Sequence, residues 1–167
     1  KIRELLEGRA RLMGEGSLEV SEDLTASQMP NVTNFAQSPE TYFGSERNEY
    51  LANGVYGRSG EQMFTVPKNI LPNALYLGGT WDITPEYAES RAGSSVVYRY
   101  SAKEVYLVME SDTPTEFEVW QDGKLVRTII VEESTLYTLI EDAVPGEHVL
   151  ELRTKEAGCR LFAFTFG

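Results

Sequence analysis

Thr115-Glu116-Phe117-Glu118-Val119-Trp120-Gln121-Asp122-Gly123-Lys124-Leu125-Val126-Arg127-Thr128-Ile129-Ile130-Val131 is the stretch that decides the fold class. Phe117 and Val119 alternate with Glu116, Glu118 and Trp120. That period of two buries one side of a strand and wets the other. Asp122-Gly123 then supplies the positive-φ positions that a two-residue hairpin turn requires. Lys124 to Val131 is predicted to return as the antiparallel partner.

The same texture extends outward from this hairpin. Upstream, Val96 to Ser101 and Val105 to Met109 read as strands joined tightly through the polar Ala102-Lys103-Glu104. Downstream, Thr135 to Ile140 and His148 to Arg153 flank a predicted turn at Val144-Pro145-Gly146, with Leu150 and Leu152 on one face. In the last run, Leu161 to Phe166, period two predicts Phe162, Phe164 and Phe166 on a common core side. Before Val96, the runs Tyr50 to Val55, Gln62 to Val66 and Ala74 to Thr84 are expected to add strands between loops rich in Gly, Pro and Asn. Short β-prone runs separated by turns are the signature of an antiparallel sandwich or barrel.

The beginning of the chain is different. Ile2, Leu5, Leu6, Leu12 and Met13 recur at helical spacing, and Gly14 and Gly16 follow, so Lys1 to Met13 is predicted to be a short amphipathic helix. Glu15 to Pro39 reads as an extended connector. The expected division is thus 1–37, helix and linker, and 38–167, the β-module. The opening Lys1-Ile2-Arg3 has no basic n-region followed by an apolar core, so no signal peptide is expected, and the chain reads as part of something longer.

At 167 residues the chain is long enough to bury a real core. No apolar run approaches the roughly 20 residues of a membrane span, so direct membrane insertion is not expected. Fifteen Lys and Arg against 26 Asp and Glu give a net charge of −11, which repels phosphates and argues against nucleic acid as a partner. The single cysteine, Cys159, allows no internal disulfide and no dithiol cycle, and its apolar surroundings suggest a buried thiol. The single histidine, His148, removes a His-rich metal site, and Gly57-Arg58-Ser59-Gly60 is not a nucleophile elbow.

Ser38-Pro39-Glu40-Thr41-Tyr42-Phe43-Gly44-Ser45-Glu46-Arg47 resembles the PETY-x-G-x-ER signature of the C-terminal domain of DipZ-type thiol-disulfide oxidoreductases. Further similar segments are Leu77-Gly78-Gly79-Thr80-Trp81, Tyr98 to Val108, Leu136-Tyr137 and the closing Phe162 to Gly167. In that family a CcdA-like membrane region precedes a thioredoxin domain and then this module. The resemblance implies a mostly β, antiparallel jelly-roll β-sandwich similar to galactose-binding and carbohydrate-binding modules. It also implies an extracytoplasmic setting in bacteria, as a soluble domain of a membrane-anchored protein whose upstream thioredoxin domain is its partner. The redox-active Cys-x-x-Cys of that upstream domain has no counterpart here, so no catalytic residue is carried over.

A sandwich that binds sugars stacks aromatic faces on them and holds their hydroxyls with polar side chains. By residue type Tyr42, Glu46, Arg47, Trp81 and Trp120 are the candidates for ligand binding. Against this, Tyr42 and Trp81 could be core or loop-anchoring aromatics, and Glu46 and Arg47 a structural ion pair. Trp120, on the face of Glu116 and Glu118, is expected to be the more exposed tryptophan. No cofactor is expected. Glu110-Ser111-Asp112 or Asp82 to Glu86 could ligate a structural calcium, though no EF-hand spacing is present. The expected role is a non-catalytic accessory module that binds a glycan or envelope component. The alternative is a structural or protein-interaction module that packs on the thioredoxin domain or self-associates, with no small ligand.

Overall fold

The computed structural model describes residues 37–167, so the helix expected over Lys1 to Met13 and most of the connector lie outside the described residues. The strands are β1 (Thr41–Tyr42), β2 (Gly60–Phe64), β3 (Leu75–Ile83), β4 (Ala88–Ser90), β5 (Ser95–Ser111), β6 (Thr115–Gln121), β7 (Lys124–Val131), β8 (Thr135–Arg153) and β9 (Cys159–Phe166). Every ladder between them is antiparallel. The first half of β5 pairs with β3 and with the second half of β8; its second half pairs with β9 and with the first half of β8. β4 joins β3 to β9. The result is a jelly-roll β-sandwich in which β5 and β8 are shared by both faces. Among the described residues no helix is long and apolar enough to cross a membrane.

The hairpin of β6 and β7 forms as predicted. Asp122 and Gly123 have φ of 52° and 82°, the geometry that matches strand twist in a two-residue turn. Phe117 and Val119 are fully buried.

The long strands correct the sequence reading. Val96–Ser101 and Val105–Met109 belong to one strand of 17 residues, and Thr135–Ile140 and His148–Arg153 to one of 19. Neither Ala102-Lys103-Glu104 nor Val144-Pro145-Gly146 reverses the chain. They face each other as a bulge, with Ala102 paired to Gly146 and Glu104 to Glu141. Lys103 alone opposes Asp142 to Pro145, and this irregularity shifts side-chain parity: the inward side is Val96, Tyr98, Tyr100 and Ala102 before it, and Val105, Leu107 and Met109 after it. Backbone groups released by the bulge are satisfied by the chain end. The N–H groups of Lys103 and Glu104 donate to Gly167 O at 2.8 and 2.9 Å, and Gly167 N–H returns a bond to Glu104 O.

A second bulge corrects the final strand. The β9–β5 register shifts between Leu161 and Ala163, so Leu161, Phe164 and Phe166 point inward while Phe162 turns to the half-exposed side. In the N-terminal half, Gln62–Val66 and Ala74–Thr84 correspond to β2 and β3, whereas Tyr50–Val55 contributes only a bridge from Leu51 to Leu75. The core is aromatic. Phe43 and Tyr98 each meet Phe164 at 5.4 Å, and Tyr98 meets Phe166 at 5.3 Å.

Candidate functional site

The signature segment alternates inward and outward as it leaves β1. Thr41, Phe43 and Ser45 are buried. Thr41 Oγ1 shares a hydrogen bond with the Tyr98 hydroxyl at 2.9 Å. Phe43 packs on Phe164, and its N–H donates to Phe162 O at 3.0 Å. The N–H groups of Ser45 and Glu46 then donate to Thr84 O and Pro85 O, at 2.8 and 3.1 Å. This clamp leaves Tyr42, Glu46 and Arg47 on the outer side.

These residues rim a groove of about 330 Å³. Pro85, Val108, Phe162 and Ala163 provide apolar surface in it, and Tyr42, Glu46, Arg47 and Glu86 provide the polar groups. The Arg47 guanidinium lies 3.8 Å over the Tyr42 ring, a cation–π contact. Tyr42 Oη donates to Glu40 Oε1 at 2.6 Å. That hydrogen bond raises the phenol pKa above its ordinary value. Behind the groove Phe162 meets Tyr87 at 5.3 Å. Arg160 approaches the same Tyr87 ring and bonds Glu110 and Asp112 at 2.6 and 2.9 Å.

Tyr42, Glu46 and Arg47 are thus brought together, but the tryptophans are not with them. Trp81 is a correction: its side chain is fully buried and its Nε1 donates to Gly78 O at 3.0 Å. The odd positions of β3 point inward, and Trp81 shares that side with Leu75, Leu77 and Ile83, so it offers no face to a ligand. Trp120 is partly exposed, as expected, and lies beside a different cleft. Arg153 stacks 4.1 Å over its ring, and its Nε1 donates to Glu118 at 3.1 Å. That cleft, about 440 Å³, includes Glu116, Glu118, Glu151, Arg153 and Lys155. Sequence reading missed Pro85, Glu86, Val108 and Phe162 in the groove and Arg153 in the cleft. Phe162 carried a signal that pointed the wrong way, because strict alternation placed it in the core.

The remaining chemistry-bearing groups are tied into structure. Burial pushes the Cys159 thiol up to about 12. His148 Nδ1 lies 2.6 Å from Asp122 and its Nε2 3.7 Å from Asp142. Both carboxylates of the calcium candidate Glu110-Ser111-Asp112 are engaged by Arg160. Among the described residues no group of three or more His, Cys, Asp or Glu side chains is placed to hold a metal.

Comparison with known proteins agrees with the signature. Protein DipZ of Mycobacterium bovis is 28% identical over 92% of this chain, as is Protein DipZ of Mycobacterium tuberculosis. The chain spans about a quarter of the length of these curated relatives, 24% in each case. Among solved structures, an active-site mutant of a family two carbohydrate esterase from Clostridium thermocellum superposes with a TM-score of 0.51. It is 22% identical, over 56% of this chain and 31% of that one, a likeness of fold. A family 6 carbohydrate-binding module gives a TM-score of 0.41 at 17% identity, over 76% of this chain and 92% of that one. The family described as thioredoxin-like C-terminal domain matches residues 38–167. With its signature loop clamped over the groove and its match running from that loop to the last residue, the chain belongs to the thioredoxin-like C-terminal domain family.

Proposed function

We propose that this chain is a non-catalytic accessory module of an extracytoplasmic thioredoxin-like oxidoreductase, and that its Tyr42–Arg47 groove holds a glycan or another hydroxyl-rich component of the cell envelope. The observation that carries the reading is the groove's composition: apolar Pro85, Val108 and Phe162 bordered by Tyr42, Glu46, Arg47 and Glu86. Sugars present alternating C–H faces and hydroxyls, which such a surface complements. Tethered beside a thioredoxin domain, a module of this kind raises the local concentration of whatever carries the ligand.

The test is binding of the chain to a panel of glycans and cell-wall polysaccharides. Saturable binding that Arg47→Ala or Tyr42→Ala weakens about tenfold or more, with unchanged melting, supports the groove. Loss in Trp120→Ala instead moves the site to the neighbouring cleft.

A second reading makes the module structural or protein-binding, without a small ligand. It is favoured by two contacts: Arg47 already covers a face of Tyr42 and Arg153 a face of Trp120. Silence across the panel, together with association between this chain and the thioredoxin domain of the same polypeptide, would establish it in place of the first.

A further inference from the structure

Among the described residues, β7 pairs with β6 along one side and with no other strand. The described residues leave its apolar side chains uncovered too: Leu125, Val126 and Ile130 are 51%, 46% and 51% exposed. Register with β6 shifts so that Trp120 faces Leu125 and Val119 faces Arg127. Val126 is the extra residue, and Lys124 to Thr128 are exposed on both faces of the strand. A bare edge exposes unpaired N–H and C=O groups, which soluble proteins guard with proline, central charges or bulges, and the bulge at Val126 is the guard this strand carries. No proline occurs between Lys124 and Val131, and the one mid-strand charge, Arg127, is turned aside to donate to Thr138 O at 3.0 Å.

The charges that flank this edge are sorted by sign. Lys124 opens the strand, and the exposed Glu132 and Glu133 follow its last residue. A strand with a basic start, an apolar middle and an acidic end is complementary to itself when run antiparallel. We propose that β7 is a self-association edge on which a second copy of this chain adds its own β7 antiparallel. Lys124 of each copy meets the Glu132-Glu133 pair of the other, and Val126 approaches Ile130. Two chains of net charge −11 repel overall, so local sign complementarity is what allows this edge to meet its copy. Edge pairing alone buries little area, and the dimer is therefore weak and concentration-dependent. The proposal is independent of whether the groove takes a sugar.

Sedimentation equilibrium of the 167-residue chain over a concentration series is the test, with Val126→Lys, Lys124→Glu and the charge swap Lys124→Glu/Glu132→Lys/Glu133→Lys. A reversible dimer is expected, weakened about tenfold or more by Val126→Lys and by Lys124→Glu and recovered in the charge swap, with melting temperatures unchanged. If Val126→Lys fails to fold, loss of the dimer in Lys124→Glu and its recovery in the charge swap still decide. A chain monomeric at every concentration overturns the proposal. So does a dimer indifferent to both Val126→Lys and Lys124→Glu, which places the contact elsewhere. Slow exchange in a monomer at those amides of Lys124 to Val131 that β6 does not bond overturns it as well, since the edge is then covered by another part of the same chain.

Discussion

Gly44 and Glu86 approach so closely that a Cβ on Gly44 would overlap the backbone of Pro85 and Glu86. The contact closes the clamp in which Ser45 and Glu46 donate to Thr84 and Pro85, and so it fixes one wall of the groove. Gly44→Ala must push the loops apart, at a cost of about 1–3 kcal/mol. A lowered denaturation midpoint together with loss of whatever binding the groove shows is expected. An unchanged midpoint would mean that the clamp yields without strain.

Trp81 and Trp120 separate by burial. Trp81→Ala opens a void among Leu75, Leu77 and Ile83 and strands the Gly78 carbonyl, a change of about 3–5 kcal/mol. Trp120→Ala removes a half-exposed ring that stacks under Arg153, and about 1 kcal/mol or less is expected. Parallel urea titrations check both. If Trp81→Ala melts like the wild type, its place in the core is wrong.

Sequence reading succeeded where the information is local. Phe117, Val119 and the Asp122-Gly123 turn determine their hairpin within a few residues. Residue type alone singles out Tyr42, Glu46 and Arg47, and it is the fold of their loop that brings them to one groove. It failed where pairing partners far apart decide the outcome. Ala102-Lys103-Glu104 and Val144-Pro145-Gly146 look like turns, and only their mutual opposition, with Gly167 satisfying the freed backbone, makes them a bulge inside continuous strands. Phe162 is misplaced for the same reason: the irregularity that turns it outward lies in its register with β5. Arg153 on Trp120 joins β8 to β6, and nothing in either segment announces the other.

Arg160 stands opposite Glu110 in the β9–β5 ladder and bonds it at 2.6 Å, with Asp112 at 2.9 Å. The Arg160–Glu110 bond is partly buried, so Arg160→Ala is expected to cost about 1–2 kcal/mol near neutral pH. Arg160→Lys keeps the charge but loses the fork and recovers only part of this. The hydrogen bond and charge of Arg160 hold Asp112 below the ordinary carboxylate range. Its contribution is present above its unfolded pKa and is lost as pH falls through the folded value. Denaturant titrations toward acid should therefore show a shallower loss of stability in Arg160→Ala than in the wild type. Parallel acid limbs would show that Asp112 gains nothing from the pair.

Burial pushes Cys159 from 9.0 up to about 12. Tyr100 rises from 10.0 to about 12 through burial, with the Gln121 hydrogen bond pulling the other way. Both groups are protonated in the folded and unfolded chain at neutral pH, so neither affects stability there. Above these ordinary values the unfolded chain releases its protons first, and stability falls as pH rises, by about 1.4 kcal/mol per pH unit for each group until its folded pKa is reached. Cys159→Ala should remove the thiol's share of that alkaline slope. The same burial makes the native thiol slow toward a disulfide reagent at about pH 8 and quick in denaturant. Prompt labelling of the folded protein, or an alkaline limb unchanged by Cys159→Ala, would show that this sulfur is not sealed in the core.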